Sequence, residues 1–433
     1  MPTNDVLTPL EASRIATNSY FSLKDWLKGT PTAGVESHAK VRDAVIGAGN
    51  PKGTNTSLKG TGLAKSDLQR VFSGTTGIGT SSGFGYLLNC KKGDRRHAII
   101  ATRGTRPEMA WKPDIVTDLR AGMTGFGDYG QVHKGFRRTF DSVIAGLAAD
   151  HTSIMDADIV HCVGHSLGGG VATLIAAHYA SLGKAVKLYT FGCPRVGAYQ
   201  TYSALEESIK PENIYRTSHD LDPVTLIATY PYIHVLPKPL TGNNFTLVSP
   251  TGSLFSTANH DMERYIRSVA RDPEDTWEIV RGRAQQVDHD NAVLAKWLLH
   301  SDNDPGWVRY ASAKTLGILF KLFAHVLKDV STAIIEGLTA TDLLAEMIHK
   351  GLARSMALSQ QVFTLLRHAA EWTGIKLAAG VDFTVQIIRR ILDKMMARLE
   401  HMAAHALSTV GHHIDPVPLI IAGGWLLSGG SAF

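Results

Sequence analysis

A serine with a glycine two positions before it and another two positions after it is the residue of this chain best suited to nucleophilic chemistry. Ser166 is the third residue of the sequence Gly-His-Ser-Leu-Gly at positions 164–168, between an apolar run at 159–163 and a small-residue segment at 169–182. A strand, a tight turn and a helix in this order present a serine hydroxyl at the rim of a parallel sheet. The turn leaves little room for side chains two positions before and after the serine, where both residues are glycine. The pattern predicts that Ser166 projects from the bend as a nucleophile.

A serine needs a general base to take its proton and a third group to orient that base. A strand predicted over residues 213–217 runs into a polar loop that contains two carboxylates, Asp220 and Asp222. Asp222 is preferred as the orienting group because the following Pro223 fixes the backbone there. Asp220 remains the alternative, although its position is also typical of a solvated turn.

The general base is expected among the histidines that follow this loop, namely His234, His260, His289 and His300. His260 is preferred because it lies in a loop immediately before an amphipathic helical pattern. His234 alternates with apolar residues, which favours a strand residue packed near the site, and it is the main alternative. His165 is next to the nucleophile, but the turn directs it elsewhere, so a structural role is predicted for it.

The negative charge that develops on an attacked carbonyl oxygen requires hydrogen-bond donors. One predicted donor is the backbone N–H of Leu167, the residue after the nucleophile. The second is sought at the end of an apolar strand predicted over residues 97–102, which leads into Arg103-Gly104-Thr105. The backbone N–H of Thr105, with its hydroxyl beside it, is the candidate, although an Arg-Gly-Thr triplet by itself usually marks only a turn.

Taken together, these segments resemble the class 3 (fungal-type) lipase family, α/β-hydrolases that include triacylglycerol lipases, phospholipases A1 and esterases. The matching segments are residues 103–105, 132–136, 164–169, 190–197, 222–224 and 260–262. The resemblance covers roughly residues 85–270 and implies a triad of Ser166, Asp222 and His260, with Thr105 and Leu167 in the oxyanion hole. It also implies hydrolysis of glycerolipid esters through an acyl-enzyme, with no metal or organic cofactor.

The chain departs from the family pattern at two places. Thr102 stands where the family usually has an aromatic residue before Arg103, which predicts a changed wall of the acyl pocket. Residues 106–113 occupy the place of the family's lid, but this stretch is short and contains two prolines. Activation by a hinged lid is therefore not expected. Met109 and Trp111 within it suit ordinary packing and lipid contact equally well.

Length and composition favour an α/β protein of two units. The 433 residues are too many for one average domain, and we predict an α/β-hydrolase domain over 1–300 and a helical extension over 301–433. The 44 basic residues nearly balance the 39 acidic ones, giving a net charge of +5. There is no arginine-rich block with interleaved aromatics, which argues against nucleic-acid binding.

The helical extension has apolar stripes flanked by basic residues. A heptad-like seam runs through a helix predicted over 381–410, and residues 417–433 carry no charged side chain but are short for a membrane-spanning helix. Packing as a helical bundle and peripheral contact with a membrane both remain open. The flanking basic residues are Lys321, Lys328, Arg354, Arg389, Arg390 and Arg398.

Three cysteines, Cys90, Cys162 and Cys193, do not form a disulfide or zinc pattern, and the latter two are predicted to be buried.

Glycine-rich stretches at 47–62 and 74–83 are predicted to be connecting loops. The first twenty residues lack the apolar core of a signal peptide, which predicts a cytoplasmic protein or export by a leaderless route.

Two other functional classes compete with a lipase of ordinary lipid metabolism. One is an exported antibacterial or host-directed phospholipase effector, in which the helical extension seeks membranes. The other is a non-catalytic, lipase-like scaffold in which the helical extension binds a protein partner. A complete set of triad residues in family order argues against the scaffold.

Overall fold

The computed structural model describes most of the chain as far as residue 285 and parts of it beyond residue 345. The described residues are 5–20, 67–76, 80–104, 122–227, 232, 234, 243–251, 257–285, 345–346, 349, 363–364, 366–371, 373–378 and 380–409. The predictions for Thr105, the glycine-rich stretch 47–62, the lid region 106–113 and the tail 417–433 lie outside the described residues, as do His289 and His300.

A seven-stranded sheet forms the centre of the fold, with its strands in the order β1-β2-β3-β6-β7-β8-β9. The first three strands pair antiparallel, and β3 and all strands after it in that order pair parallel. The strands are β1 Leu68–Thr76, β2 Thr80–Lys92, β3 Arg95–Thr102, β6 Ile159–His165, β7 Val186–Phe191, β8 Ile214–His219 and β9 Asn243–Leu247, with a separate hairpin of β4 Met123–Gly125 and β5 Gln131–His133. This confirms the predicted α/β class with a mainly parallel sheet.

Helices cover both faces of the sheet. They are α1 Pro9–Asn18, α2 Lys134–Leu147, α3 His151–Met155, α4 Leu167–Ser181, α5 Tyr199–Ile209 and α6 Met262–Val269, followed by a helix over 277–285. The apolar cluster on one face is built with α2, α4 and α5, and that on the other face with α1, α6 and 277–285. Because both faces are covered, every residue of β6 is buried, which accounts for its apolar run.

Helix α1 is fixed to the sheet through its first residues. Thr8 and Glu11 form a reciprocal capping box at its start. Just before it, the N–H of Leu7 donates to the hydroxyl of Tyr189 at 3.0 Å, and the carbonyl of Leu7 accepts from the indole of Trp277 at 2.7 Å. The helix therefore has a defined position over β7, and its C-terminal end is brought towards the nucleophile turn.

Two local predictions are wrong. In the glycine-rich stretch 74–83, residues 74–76 and 80–83 are not loop but belong to β1 and β2, which pair with Thr76 opposite Thr80. The small residues there are held in strands by cross-strand pairing, which outweighs their low intrinsic strand preference. The sequence also predicts a helical pattern that continues from His260 to about Leu299, but the structure interrupts it between α6 and the helix at 277–285, where Pro273 cannot continue a helix.

The three cysteines are buried free thiols, in agreement with the sequence prediction. Burial raises the pKa of Cys90 to about 11 and that of Cys193 to about 12. The pKa of Cys162 is raised as well, again by burial. All three side chains therefore behave as small apolar groups of the core rather than as reactive thiolates.

A long helix, Val385–Thr409, lies within the part predicted to be helical. Its Ala403 and Ala406 are buried against Val224 and Ile227, in the loop that follows β8. It also contacts the short 3-10 segment Thr257–Asn259, just before α6. Within the described part of the chain, no helix has both the length and the apolar composition needed to cross a membrane. The domain boundary near residue 300 stays a prediction.

Candidate active site

The nucleophile turn joins β6 to α4 in a conformation that is rare for a serine. Ser166 has φ 58° and ψ −132°, a region that costs a non-glycine residue about 1–3 kcal/mol. A side chain at Gly164 would collide with the backbone of Gly168, and one at Gly168 would collide with the backbone carbonyl of Thr102. Both positions therefore require glycine, as the sequence predicted, and the surrounding backbone holds the strained serine in place.

Ser166, His260 and Asp222 form one hydrogen-bonded chain. The hydroxyl of Ser166 lies 2.8 Å from Nε2 of His260, and Nδ1 of His260 lies 2.7 Å from Oδ2 of Asp222. Because Nδ1 faces a carboxylate, it carries the ring proton, which leaves Nε2 as the acceptor for the serine hydroxyl. These distances are those that a serine, a base and an orienting carboxylate require.

Asp222 is held by three donors. Besides Nδ1–H of His260, the carboxylate accepts from the hydroxyl of Tyr265 at 2.7 Å and from the backbone N–H of Val224 at 2.9 Å. The Tyr265 oxygen in turn accepts from the N–H of His219 at 2.9 Å. Burial and the neighbouring Asp222 carboxylate raise the pKa of Tyr265 well above its ordinary value, so the phenol keeps the proton that it donates.

The backbone of His260 is fixed from the other side by His165. Nε2 of His165 lies 3.0 Å from the carbonyl oxygen of His260, and its Nδ1 lies 2.6 Å from the hydroxyl of Tyr20. A carbonyl can only accept, so Nε2 of His165 donates and Nδ1 accepts from Tyr20. Burial, and next the positive charge that His260 would carry, lower the pKa of His165 well below its ordinary value, which keeps the ring neutral. The structural role predicted for His165 is thus a defined one.

The two alternative residues are engaged elsewhere. Oδ1 of Asp220 accepts from the N–H and the hydroxyl of Ser249 at 2.9 and 2.7 Å, which links the exits of β8 and β9. Nε2 of His234 lies 2.7 Å from the carbonyl of Thr225, to which it donates. His234 is only half-buried, and it is Asp222 and His260 that the structure brings to Ser166.

The side of the site that would face an oxyanion is built from the start of α4 and the end of β3. Leu167 is the first residue of α4, where backbone N–H groups have no acceptor within the helix and where the helix dipole favours negative charge. Thr105, the second predicted donor, lies outside the described residues. The preceding Arg103 is fully buried, and its guanidinium donates to the carbonyls of Gly83 and Gly104 at 2.6 and 2.8 Å. This fixes the chain up to the residue before Thr105.

Thr102 braces the nucleophile turn. It is fully buried, and its hydroxyl donates to the carbonyl of Gly168 at 2.8 Å. The departure from the family pattern at this position thus places a polar contact between β3 and α4, directly behind Ser166. Whether the side chain also lines an acyl pocket stays a prediction.

The candidate triad is closed off from solvent. Ser166, Asp222 and His260 are each 0% exposed. The turn does direct the hydroxyl towards the carboxyl edge of the sheet, but the parts packed around that edge cover it, which a local motif cannot predict. A substrate would therefore reach the hydroxyl only after part of this cover moves.

Two functional side chains, Tyr20 and Tyr265, were missed by sequence reasoning. In the sequence, Tyr265 stands out only as one apolar position of the amphipathic pattern after His260, and Tyr20 only as one residue of an amphipathic pattern over 10–26. Both are fully buried, yet each has a hydroxyl that makes a hydrogen bond within the site. Their shared signal is chemical, because a buried tyrosine usually finds a partner for its hydroxyl, but the partner itself is set by long-range packing.

The sheet is mainly parallel and flanked by helices, and a strained serine lies between β6 and α4. Its partners Asp222 and His260 follow later strands. These features together define the α/β-hydrolase class. Residues 99–231 match the family model described as Lipase (class 3). The match agrees with the resemblance inferred from the motifs, and it covers the segment that carries the nucleophile turn and Asp222.

Individual relatives share only parts of the chain. The Secreted mono- and diacylglycerol lipase 1 of Fusarium solani is 29% identical over 172 residues, which are 37% of this chain and 48% of that protein. The chain thus spans about half the length of that relative. Toxin TseL of Vibrio cholerae is 30% identical over 132 residues, or 29% of this chain and 20% of the toxin. Among solved structures, the mono- and diacylglycerol lipase from Aspergillus oryzae aligns over 57% of this chain and 83% of that one, with 20% identity and a TM-score of 0.36.

Proposed function

We propose that the protein is a serine carboxylester hydrolase acting on glycerolipids, with Ser166 as nucleophile. One observation carries this proposal: a single hydrogen-bonded chain joins Ser166, His260 and Asp222 at 2.8 and 2.7 Å. The match of residues 99–231 to the class 3 lipase model supports the lipid substrate. The relatives named as mono- and diacylglycerol lipases point to a neutral glyceride as substrate. The sn-1 ester of a phospholipid is the alternative that the resemblance to the class 3 lipases implies.

In the proposed reaction, Oγ of Ser166 attacks the ester carbonyl carbon while Nε2 of His260 takes the hydroxyl proton. Asp222 stabilises the imidazolium that forms. The oxyanion accepts from the N–H of Leu167 and, in this proposal, from Thr105. Collapse of the intermediate breaks the ester C–O bond, and His260 returns the proton to the leaving alcohol. A water molecule activated by His260 then hydrolyses the acyl-Ser166 ester and regenerates the free hydroxyl.

A hydrolysis panel on wild type and Ser166→Ala tests the proposal. The panel contains triacylglycerols, diacylglycerols, phospholipids and short p-nitrophenyl esters. The lipids are supplied as detergent-dispersed emulsions. Wild type should hydrolyse glycerolipids, and Ser166→Ala should lose at least about three orders of magnitude in kcat. Turnover of short esters alone would leave an esterase and remove the lipid assignment. A folded wild type that neither hydrolyses any ester nor labels with a fluorophosphonate would overturn the proposal in favour of a non-catalytic scaffold.

A second candidate keeps the chemistry but changes the role, namely an antibacterial or host-directed phospholipase effector. The observation that favours it is the shared segment with a protein named as a toxin. Its test is expression with a periplasmic signal sequence in a bacterium. Lysis or phospholipid loss that requires Ser166 would support the effector role, whereas unchanged growth with active enzyme in the periplasm would exclude it for that host.

A further inference from the structure

A row of cations lies along the long helix. Arg390, Lys394 and Arg398 follow each other at four-residue steps and are all exposed, and residues four apart lie on the same face of a helix. In a neighbouring row of the same helix, Arg389 pairs with Asp393 at 3.7 Å. We name the first three side chains the cationic row.

The cationic row flanks the face of the helix that packs on the molecule. Ile388, Ile391, Leu392 and Met395 are buried towards one end, and Ala403 and Ala406 are buried towards the other. At about 100° per residue, Arg390, Lys394 and Arg398 lie about 160°, 120° and 80° around the helix from the middle of this buried face. All three are exposed, so the cations lie on the solvent side of the docked helix, beside its packed face.

The docking places this helix beside the candidate active site. Ala403 and Ala406 pack on Val224 and Ile227, and Val224 donates the backbone N–H that Asp222 accepts. The helix also contacts Thr257–Asn259, the segment immediately before His260. With a rise of about 1.5 Å per residue, the cationic row begins about 7 Å from Ala403 and extends to about 20 Å. A surface bound by this row would thus lie next to the edge of the sheet that carries the triad.

From this arrangement we propose that the cationic row binds the surface of an anionic phospholipid bilayer and holds the active-site edge against it. Charge complementarity points to an anionic bilayer as the binding partner, because three exposed cations in one line suit a dense array of phosphate groups. It also follows from the substrate, since a glycerolipid is supplied at a lipid surface, and in this respect the inference rests on the proposed function. Each cation near such a surface adds favourable energy, and salt weakens the attraction.

Vesicle sedimentation of the full chain tests the inference, with Ser166→Ala as background so that the lipid stays intact. The vesicles are phosphatidylcholine alone and an equal mixture of phosphatidylcholine and phosphatidylglycerol. The parent protein should bind the mixed vesicles and lose this binding at high salt. Arg390→Glu/Lys394→Glu/Arg398→Glu should weaken the partition coefficient about tenfold or more.

The matched control reverses three exposed cations at the opposite, amino edge of the sheet, Lys91→Glu/Arg96→Glu/Lys210→Glu. It changes the net charge equally, and it should change binding by less than about twofold because these side chains lie on the other edge. Equal weakening by both triple variants, or by neither, would overturn the inference. If the glutamate variant does not fold, the corresponding glutamine variant replaces it under the same criterion.

These experiments distinguish failure of the proposed membrane contact from failure of the proposed ester hydrolysis. Binding that depends on the cationic row in a wild type without ester hydrolysis would remove the proposed function and keep the lipid-surface contact. Hydrolysis of dispersed substrates without such binding would remove only the contact. In the Ser166-containing protein, the row variant should keep its activity on short soluble esters and lose activity on mixed vesicles.

Discussion

Asp222 accepts three hydrogen bonds, and only one of its donors, His260, belongs to the set that the sequence predicted. The other side-chain donor, Tyr265, projects from α6 and also receives the N–H of His219. A hydrogen bond to an ionised group contributes more than one between neutral groups. At the residue scale, Tyr265 therefore acts as a positioning residue that fixes the carboxylate relative to the ring of His260.

We expect Tyr265→Phe to lower kcat about tenfold while KM stays nearly constant, because one charge-assisted bond to the carboxylate is lost and the packed ring remains. Steady-state kinetics on a short ester measure this. Tyr129→Phe is the matched control, since it removes a buried hydroxyl that donates to the carbonyl of Ala177 at 3.0 Å, away from the triad. A kcat for Tyr265→Phe equal to that of the control would argue against a positioning role.

At the scale of elements, the nucleophile turn works because β3 and α4 approach each other without side chains between them. The hydroxyl of Thr102 donates across this contact to the carbonyl of Gly168. A Cβ at Gly168 would meet backbone atoms of Thr102 and Arg103. Backbone atoms cannot move aside as a flexible side chain can, so the strand end and the helix start would have to separate.

Gly168→Ala should therefore lower the free energy of unfolding by about 3 kcal/mol and abolish esterase activity. Urea denaturation followed by circular dichroism gives the first quantity. The comparison is Gly282→Ala in the helix 277–285, where an added Cβ has no neighbour within 4 Å. That change should leave stability equal or raise it by up to about 1 kcal/mol. Similar stabilities for the two variants would show that the close approach does not constrain the turn.

At the scale of the whole molecule, several buried histidines make stability depend on pH. His97 on β3 and His161 on β6 are stacked, with 2.8 Å between Nδ1 of His97 and Nε2 of His161. Burial lowers the pKa of His97 and lowers that of His161 well below the ordinary value. His165 and His219 also have lowered pKa values, again chiefly through burial. At mildly acidic pH, these histidines therefore bind protons in the unfolded chain but stay neutral in the folded chain.

Since the folded pKa values lie below the unfolded ones, the stabilisation from neutral histidines is complete above about pH 6.5 and is lost as the pH falls below that value. We expect a free energy of unfolding that is flat between about pH 7 and pH 8 and falls by up to about 1.4 kcal/mol per pH unit for each such histidine below pH 6. His97→Leu/His161→Leu replaces both polar partners by apolar groups and should reduce this slope. Denaturation midpoints across pH measure it, and an unchanged slope would assign the acid sensitivity to other groups.

The sequence by itself determined the resemblance to class 3 lipases, the α/β class and the order of the chemistry-bearing segments, because these depend on local patterns. A strand, a glycine-bounded serine and a helix are readable from neighbours along the chain, and so are an aspartate before proline and a histidine before an amphipathic helix. Only the tertiary structure decided that Asp222 rather than Asp220 meets His260, that Tyr20 and Tyr265 hold the site, and that Ser166 is covered. It also decided that residues 74–76 and 80–83 lie in paired strands and that the long helix docks on the loop carrying Asp222. Each of these depends on residues far apart in sequence, and such contacts are fixed by the packing of the whole chain rather than by any local preference.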